Sequence, residues 1–249
     1  MKSKTAKAPV AVIIPIYQAT LQAAEYLSLT QCCQILGKHP IIIIKPASLD
    51  IQNILNQFPE IGVRDFPDHY FAGIDSYNQL LISIPFYQTF VNFEFILIYQ
   101  LDAFVFRDEL LSWCAKPYDY IGAPSLHMEV FNDLGPTDTE QFTEALTNNR
   151  VVLNGGLSLR RVSAVIRYLK IYNIFYPKWL GNEDMLFSQE ATRLIPMKLF
   201  LKTPKWREAL QFAFEKSPAA SFIINNKKLP FACHAWERYN RRFWEKYIS

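Results

Sequence analysis

Residues 93–102 read FEFILIYQLD, and this stretch decides the fold of the chain. Its first seven residues are almost continuously apolar, which is typical of a strand buried on both faces of a parallel sheet. The run leads directly into Gln100, Leu101 and Asp102, so a carboxylate follows the end of the strand. Because ligands bind at the carboxyl ends of strands in open α/β sheets, the stretch predicts a ligand site near Asp102.

Upstream of this strand the pattern alternates between buried strands and helices. Apolar, β-branched runs predict strands, and apolar residues at helical spacing predict the segments between them as helices. The predicted strands are Val10–Tyr17 (VAVIIPIY), Ile41–Lys45 and Ile61–Phe66, and the predicted helices are Leu21–Leu36, Leu49–Phe58 capped by Ser48, and a helix from Asp75 or Ser76 to Phe90. This alternation predicts an α/β fold with a Rossmann-like first half.

The second half loses the simple alternation, and we expect its strands to be mixed in direction. The predicted strands are 118–123 and 151–159, and the predicted helices are 162–174, 183–193 and 236–247. Between them, residues Met128–Asn149 form a polar, acidic segment that is too long for an ordinary loop. Such a segment serves as a lid or binding element, or is a solvated surface insertion, and both interpretations stay open.

Composition limits the classes of partner. The chain has 249 residues and a net charge of +3, which fits one α/β domain and is too small to indicate nucleic acid as the main partner. No apolar run reaches the roughly 20 residues needed to cross a bilayer, and the basic start lacks a signal peptide's apolar segment. We therefore expect a cytoplasmic protein.

The C-terminal stretch Trp236–Tyr247 interleaves aromatic and basic residues. Such a stretch can rest on an anionic membrane surface, which would place the protein at the inner face of the membrane. The alternative is an amphipathic helix whose aromatic side chains pack on the domain while its arginines face water.

Several familiar nucleotide and hydrolase motifs are missing. Pro15, Ile16, Tyr17 and Gln18 occupy the place where a glycine-rich phosphate loop would follow the first strand. The sequence also lacks a P-loop and a GxSxG nucleophile elbow. A dinucleotide dehydrogenase, an NTPase and a serine hydrolase of the usual types are therefore disfavoured.

The candidate functional residues are ambiguous when each is taken alone. Asp102 can bind a hard divalent cation or can cap a turn. Asn154, Gly155 and Gly156 interrupt a strand-like run, so they indicate either a bulge or the close approach of a ligand. His234 lies among apolar residues, where a structural histidine is commoner than a ligand.

Two further acidic residues follow Gly181. Glu183 and Asp184 stand at the predicted start of a helix, where negative charge is stabilised by the helix dipole. Capping of this helix explains both residues without catalysis.

The order of four motifs along the chain narrows these alternatives. They are YDYIGAP at 118–124, VLNGGLSLR at 152–160, GNEDMLF at 181–187 and LPFACHAW at 229–236. Together with QLD at 100–102 they resemble the GT-A glycosyltransferases, in particular bacterial glycosyltransferase-like domains that are mostly uncharacterised. The resemblance implies one GT-A domain, with a nucleotide-binding half at about 8–106 and an acceptor and metal half at about 107–249.

The resemblance also implies roles for the metal and the base. Asp102 matches the residue that binds the metal bridging the donor diphosphate, and His234 resembles the C-terminal metal ligand, so Mn²⁺ or Mg²⁺ is the implied cofactor. Glu183 and Asp184 resemble the catalytic acidic pair of inverting enzymes, whose second residue, here Asp184, is the base. Gln100 departs from the usual first aspartate, so it is assigned to donor binding and metal dependence becomes less certain.

The remaining donor contacts are predicted from location or motif. Tyr17 and Lys45 stand at strand ends, and Asn78 lies on the helix of SYNQLL. With Asn154, Gly155 and Gly156 of the glycine motif, these residues complete the predicted donor site.

The resulting hypothesis is an inverting transferase. It would move a sugar from a nucleoside diphosphate sugar to a hydroxyl of a glycan or other acceptor, in bacterial surface glycan synthesis. The main alternative is a non-catalytic module that binds a nucleotide sugar or glycan, because Gln100 replaces the first aspartate. A scaffold attached to an envelope assembly by its C-terminus is the third interpretation.

Overall fold

A computed structural model describes residues 8–126, 151–194 and 197–248. The acidic segment Met128–Asn149 therefore lies outside the described residues. Six strands form the central sheet in the order β3-β2-β1-β4-β7-β6. Their bounds are β1 Ala8–Pro15, β2 Ile41–Pro46, β3 Gly62–Phe66, β4 Phe93–Tyr99, β6 Tyr120–Pro124 and β7 Leu153–Arg161.

Strand direction changes at the middle of this sheet. Strands β3, β2, β1 and β4 are mutually parallel, with Val12 of β1 opposite Leu97 of β4. Strand β7 then runs antiparallel to both β4 and β6. The predicted α/β class and the mixed direction of the second half are therefore confirmed. The apolar centres of β1 and β4 are fully buried, which explains why their continuous apolar runs predict both strands.

Helices cover the sheet and supply the walls of its carboxyl edge. In chain order they are α1 Ala23–Leu36, α2 Gln52–Leu55, α3 Ile74–Leu81, α4 Ile84–Thr89, α5 Leu110–Cys114, α6 Val162–Phe175, α7 Glu183–Met185, α8 Ala191–Arg193, α9 Trp206–Phe212, α10 Pro218–Ile224 and α11 Arg241–Trp244. A π-helical turn, Leu186–Glu190, joins α7 to α8, so the predicted helix 183–193 is one continuous helical run.

Two predicted helices of the first half differ from the structure. The predicted helix 49–58 is shortened to α2, Gln52–Leu55, so Ser48 lies four residues before it and does not cap it, whereas Asp50 accepts from the Gln52 N–H. The helix predicted from Asp75 or Ser76 to Phe90 is divided in two. Helix α3 already begins at Ile74, and Ser83 accepts from the Phe86 N–H to start α4 anew, with Pro85 in its first turn.

A second, smaller sheet was not predicted. It contains β5 Phe104–Val105, β8 Ala213–Phe214 and β9 Ala232–Cys233, in the order β5-β9-β8. These strands have only two residues each, too few to show an alternating pattern. They form one side of a separate apolar cluster that also contains Leu210, Trp236 and Trp244.

The C-terminal stretch belongs to this second cluster. The predicted helix 236–247 is reduced to α11, because Asn240 adopts a left-handed conformation and its side chain caps the Phe243 N–H. Trp236 and Trp244 are buried, and the Trp244 ring stacks on Phe106 with centroids 5.8 Å apart. The packing interpretation is therefore the one that the structure supports, and membrane contact by these aromatics is not supported. None of the helices in the described residues is both long and apolar enough to cross a membrane.

This packing predicts a large cost for removing the central ring. Trp244→Ala should lower the free energy of unfolding by about 3–5 kcal/mol, because the fully buried indole fills the second cluster. Urea unfolding followed by circular dichroism measures the change. Phe175→Ala is the control, since that ring is 72% exposed and its loss should cost less than about 0.5 kcal/mol. Equal costs for the two variants would contradict the assignment of Trp244 to a core.

Candidate active site

A cavity of about 690 Å³ lies where β1 and β4 end, a volume suited to a small-molecule ligand. Its walls come from these strand ends, α3, β7, the start of α7 and the segment after His234. Nine of the residues predicted from the sequence line it: Tyr17, Asn78, Gln100, Asp102, Asn154, Gly155, Gly156, Glu183 and Asp184. The fold thus brings together residues that are up to 167 positions apart, from Tyr17 to Asp184.

Lys45 is a correction to the predicted donor site, because it does not line this cavity. Its Nζ lies 2.9 Å from a carboxylate oxygen of Asp65, which stands opposite it on β3. The side chain is therefore held on the side of β2 away from β1.

Asp102 lines the cavity, and the buried His234, which like Lys45 is not among the lining residues, contacts Asp102. The Gln100 N–H donates to the Gly156 carbonyl, and the Ala103 N–H donates to the Gln100 carbonyl, so a turn at the end of β4 presents Asp102. His234 arrives from the end of β9, and its Nε2 lies 3.1 Å from Asp102 Oδ1 and 3.4 Å from Gln100 Oε1. The structure therefore places the two predicted metal ligands side by side.

Glu215 lies on the opposite side of the His234 ring from Asp102, and the sequence analysis did not predict it. It follows β8, which pairs in parallel with β9, so Glu215 and His234 emerge next to each other. Glu215 Oε1 lies 3.4 Å from His234 Nδ1 and accepts a hydrogen bond of 3.0 Å from Asn154 Nδ2. A carboxylate after the apolar residues Phe212–Phe214 is the only sequence signal for it.

The two carboxylates on either side of the imidazole decide its charge. Burial alone would lower the pKa of His234, but Asp102 and Glu215 outweigh burial and raise this pKa to about 10. For Asp102, burial opposes ionisation, and the neighbouring His234 more than compensates, so the pKa of Asp102 falls below its usual range. Asp102 and His234 therefore form an ion pair at neutral pH, in which the imidazole is buried and the carboxylate is about half exposed.

Glu183 is held by a fully buried arginine. Arg160 Nη2 donates to Glu183 Oε1 at 2.9 Å and to the Gly155 carbonyl at 3.1 Å. The same guanidinium donates to Tyr87 and Ser158, both at 2.9 Å. Glu183 is thus fixed by an ion pair, so the helix-capping explanation of this residue is insufficient.

Asp184 has a different environment from its neighbour. Burial, followed by the charge of Glu183, raises the pKa of Asp184 to about 7. Its Oδ1 is buried without a hydrogen-bond partner among the described residues. A carboxyl group that titrates near neutral pH and opens onto a cavity has the properties of a general base.

The two glycines of β7 are required by these side chains. A Cβ at Gly155 would lie 1.8 Å from Glu183 Oε1, and a Cβ at Gly156 would lie 2.3 Å from His234 Nε2 and 2.4 Å from Gln100 Oε1. The glycines therefore make room for the site's own side chains. This is a third explanation beside the two considered from sequence, a bulge and close ligand approach.

Solved structures with a similar architecture identify the fold. The chain matches the bifunctional glycosyltransferase WbbM in its apo form, with 15% identity, a TM-score of 0.51, and coverage of 94% of this chain and 46% of that one. It also matches the galactosyltransferase LgtC in complex with donor and acceptor sugar analogues, with 13% identity, a TM-score of 0.52, and coverage of 90% and 86%. The fold is therefore that of the GT-A glycosyltransferases.

The match to a family model identifies the group to which the chain belongs. Residues 60–234 match the family described as "Protein of unknown function (DUF5672)", and because this match covers well over half of the chain, the chain belongs to that family. No curated protein matches the sequence.

A third fold relative is the apo glycosyltransferase GlyE of Streptococcus pneumoniae TIGR4, with 12% identity, a TM-score of 0.50 and coverage of 97% of this chain. The chain spans 46% of the WbbM structure and 60% of the GlyE structure.

The raised pKa of Asp184 predicts a pH-dependent stability. Since the folded pKa, about 7, lies above the usual value of 3.8 for an aspartate, the wild-type protein should lose stability as the pH rises from about 4 to about 7. Asp184→Asn removes that loss, so its advantage over wild type in the free energy of unfolding should be about 2–4 kcal/mol larger at pH 8 than at about pH 4. Urea unfolding at both pH values measures this. Glu60→Gln, at an exposed site, is the control, and parallel pH profiles for Asp184→Asn and wild type would contradict the prediction.

The buried ion pair predicts strong coupling between its members. Arg160→Met should destabilise the fold by about 3–5 kcal/mol, because Glu183 is left buried without its partner. Adding Glu183→Gln to that variant should restore part of the loss, giving a coupling energy above about 1 kcal/mol in a double-mutant cycle. Strictly additive effects in urea unfolding would mean that the pair does not hold the site together.

Proposed function

We propose that the chain transfers a sugar from a nucleoside diphosphate sugar to the hydroxyl of an acceptor glycan. The observation that carries the proposal is the convergence of Asp102 and Asp184 on one cavity, at the carboxyl edge of a GT-A sheet. One carboxylate is ionised beside His234, and the other titrates near pH 7. These two environments suit different tasks, holding a cation that neutralises the diphosphate and removing a proton.

The proposed reaction needs one base and no covalent intermediate. The acceptor oxygen attacks the anomeric carbon of the donor, and the bond from that carbon to the diphosphate oxygen breaks. The hydroxyl proton passes to a carboxylate oxygen of Asp184, and the electron pair of the broken bond leaves with the diphosphate. Attack opposite the leaving group inverts the anomeric configuration.

The donor is proposed to lie along the ends of β1 and β4. Tyr17 and Asn78 line the wall on which the nucleoside would rest, and the Gln100 amide offers a donor and an acceptor for the ribose. Arg238 lies at the same cavity and supplies positive charge on the Asp102 side, where the diphosphate would be held. Glu183 would stay ion-paired and position the helix that carries Asp184.

The residues around Asp102 fit a hard divalent cation. A carboxylate oxygen, an imidazole nitrogen and an amide oxygen converge there, and His234 is backed by Glu215 in the carboxylate–histidine arrangement common at metal sites. In the described ranges no three Asp, Glu, His or Cys side chains form a group that could hold a metal ion. Asp102, His234 and Gln100 would therefore need phosphate oxygens of the donor to complete the coordination of Mn²⁺ or Mg²⁺. When bound, such a cation neutralises the diphosphate. It would compete with the proton on His234, because only neutral imidazole coordinates a metal.

Removal of the proposed base should separate chemistry from binding. Asp184→Asn should reduce the rate of sugar transfer by about 100-fold or more, because the acceptor proton has no other base, while nucleotide affinity stays within about two-fold. Transfer is followed by release of the nucleoside diphosphate, and affinity by calorimetry. Transfer at the normal rate would remove Asp184 from this role.

Asp102 should control the metal-dependent part of donor binding. Asp102→Asn should abolish most of the increase in donor affinity that Mn²⁺ produces, while leaving the fold intact, because the Asp102 side chain is about half exposed. Calorimetric titration of a nucleoside diphosphate with and without Mn²⁺ measures this increase. Asp75→Asn, on α3 at an exposed position, is the matched control. An unchanged response to Mn²⁺ in Asp102→Asn would show that Asp102 is not a ligand.

A screen of nucleotide sugars tests the proposal as a whole. A donor present at 100 times its dissociation constant should stabilise the protein by roughly 2.7 kcal/mol in a thermal-shift assay. No response to any nucleotide sugar, with or without Mn²⁺, would contradict the proposed function. Binding of a nucleotide sugar without transfer or hydrolysis under any condition would favour the non-catalytic binding module. The replacement of the first aspartate by Gln100 is the observation that motivates this alternative.

A further inference from the structure

A second cavity, of about 420 Å³, lies on the other side of α3 from the candidate active site. Ser76 and Gln79 face this second cavity, whereas Tyr77 and Asn78 face the first. The two spaces are therefore separated by the width of one helix, about 10–12 Å with its side chains.

The segment that precedes the proposed base forms the rest of the shared wall. Lys178 and Trp179 line the second cavity, and Asn182 lines the first. Gln79 Nε2 donates to the Trp179 carbonyl at 3.1 Å, and Trp179 Nε1 donates to the Asn182 carbonyl at 2.9 Å. Trp179 and Asp184 are thus held on one short segment, with Trp179 at the second cavity and Asp184 at the first.

The lining of the second cavity matches the chemistry of a sugar ring. His69, Tyr70 and Trp179 offer aromatic rings, whose faces pack against the C–H face of a pyranose. Gln79 and Asn173 offer amide groups that both donate to and accept from sugar hydroxyls.

The charge of this lining indicates which sugar it favours. Lys178 brings an ammonium group to the cavity, and none of the described residues that line it is an aspartate or a glutamate. An anionic sugar therefore meets a cation without meeting a like charge.

We propose that the second cavity binds an anionic sugar residue of the acceptor glycan, at a distance from the hydroxyl that reacts at Asp184. The inference rests on the proposed function, because it takes the first cavity as the site of transfer. Since one helix separates the cavities, an oligosaccharide is needed to occupy both, and a single sugar occupies only one.

Binding of two tetrasaccharides tests the proposal directly. Calorimetry with tetragalacturonate, an acidic probe, and with maltotetraose, a neutral one, should show at least about 10-fold tighter binding of the acidic probe by the wild-type chain. Lys178→Gln should lower the affinity for tetragalacturonate by about 10-fold through loss of the charged contact. Tyr70→Ala should lower the affinity for it through loss of a ring face.

The controls separate this inference from the proposed function. Lys38→Gln removes an exposed lysine that lines neither cavity and should leave tetragalacturonate binding unchanged. Lys178→Gln should leave the affinity for nucleotide sugars unchanged. The second site is overturned if the two probes bind equally, or if Lys178→Gln binds tetragalacturonate as tightly as the wild type. Neither result would affect the conclusion on nucleotide-sugar binding. If the wild-type chain binds no nucleotide sugar but binds tetragalacturonate as expected, the proposed function is overturned instead.

Discussion

The ion pair between Arg160 and Glu183 is the constraint on which the candidate site depends. The guanidinium is fully buried between the rings of Tyr120 and Phe187, 5.4 and 5.5 Å from their centroids. A buried charge without a partner is costly, so Arg160 holds Glu183 in place while it also donates to the Gly155 carbonyl. That arrangement fixes the start of the helix that carries both acidic residues. Asp184, the next residue, lies at the cavity, where burial first and the charge of Glu183 second raise its pKa to about 7.

Strand β7 connects this pair to the opposite side of the site. It runs antiparallel beside β4, and its residue Gly155 approaches Glu183 while Gly156 approaches His234. Asn154 of the same strand donates to Glu215, the carboxylate behind His234. One strand therefore holds two acidic groups apart: the pair around Glu183 on one side, and the Asp102–His234–Glu215 chain on the other. This division lets neighbouring carboxylates take different protonation states within one cavity.

How well each feature could be predicted from the sequence depends on how far apart along the chain the interacting residues lie. Strands β1, β2 and β4 were predicted within two residues because they are buried on both faces and their apolar runs are continuous. Asp102 and the acidic pair were found because they stand at element boundaries. Arg160 was seen only as part of a strand, since its role depends on a residue 23 positions away. Glu215 follows a two-residue strand with no periodic pattern, and the left-handed Asn240 shortened a helix that its aromatic residues predicted.

A crystal structure of the chain with a nucleotide sugar and Mn²⁺ tests the central claim most directly. The account predicts the diphosphate beside Asp102 and His234, the nucleoside along the ends of β1 and β4, and the anomeric carbon turned towards Asp184 across the same cavity. A donor bound elsewhere, or one whose anomeric carbon faces away from Asp184, would contradict the claim that this cavity carries out sugar transfer.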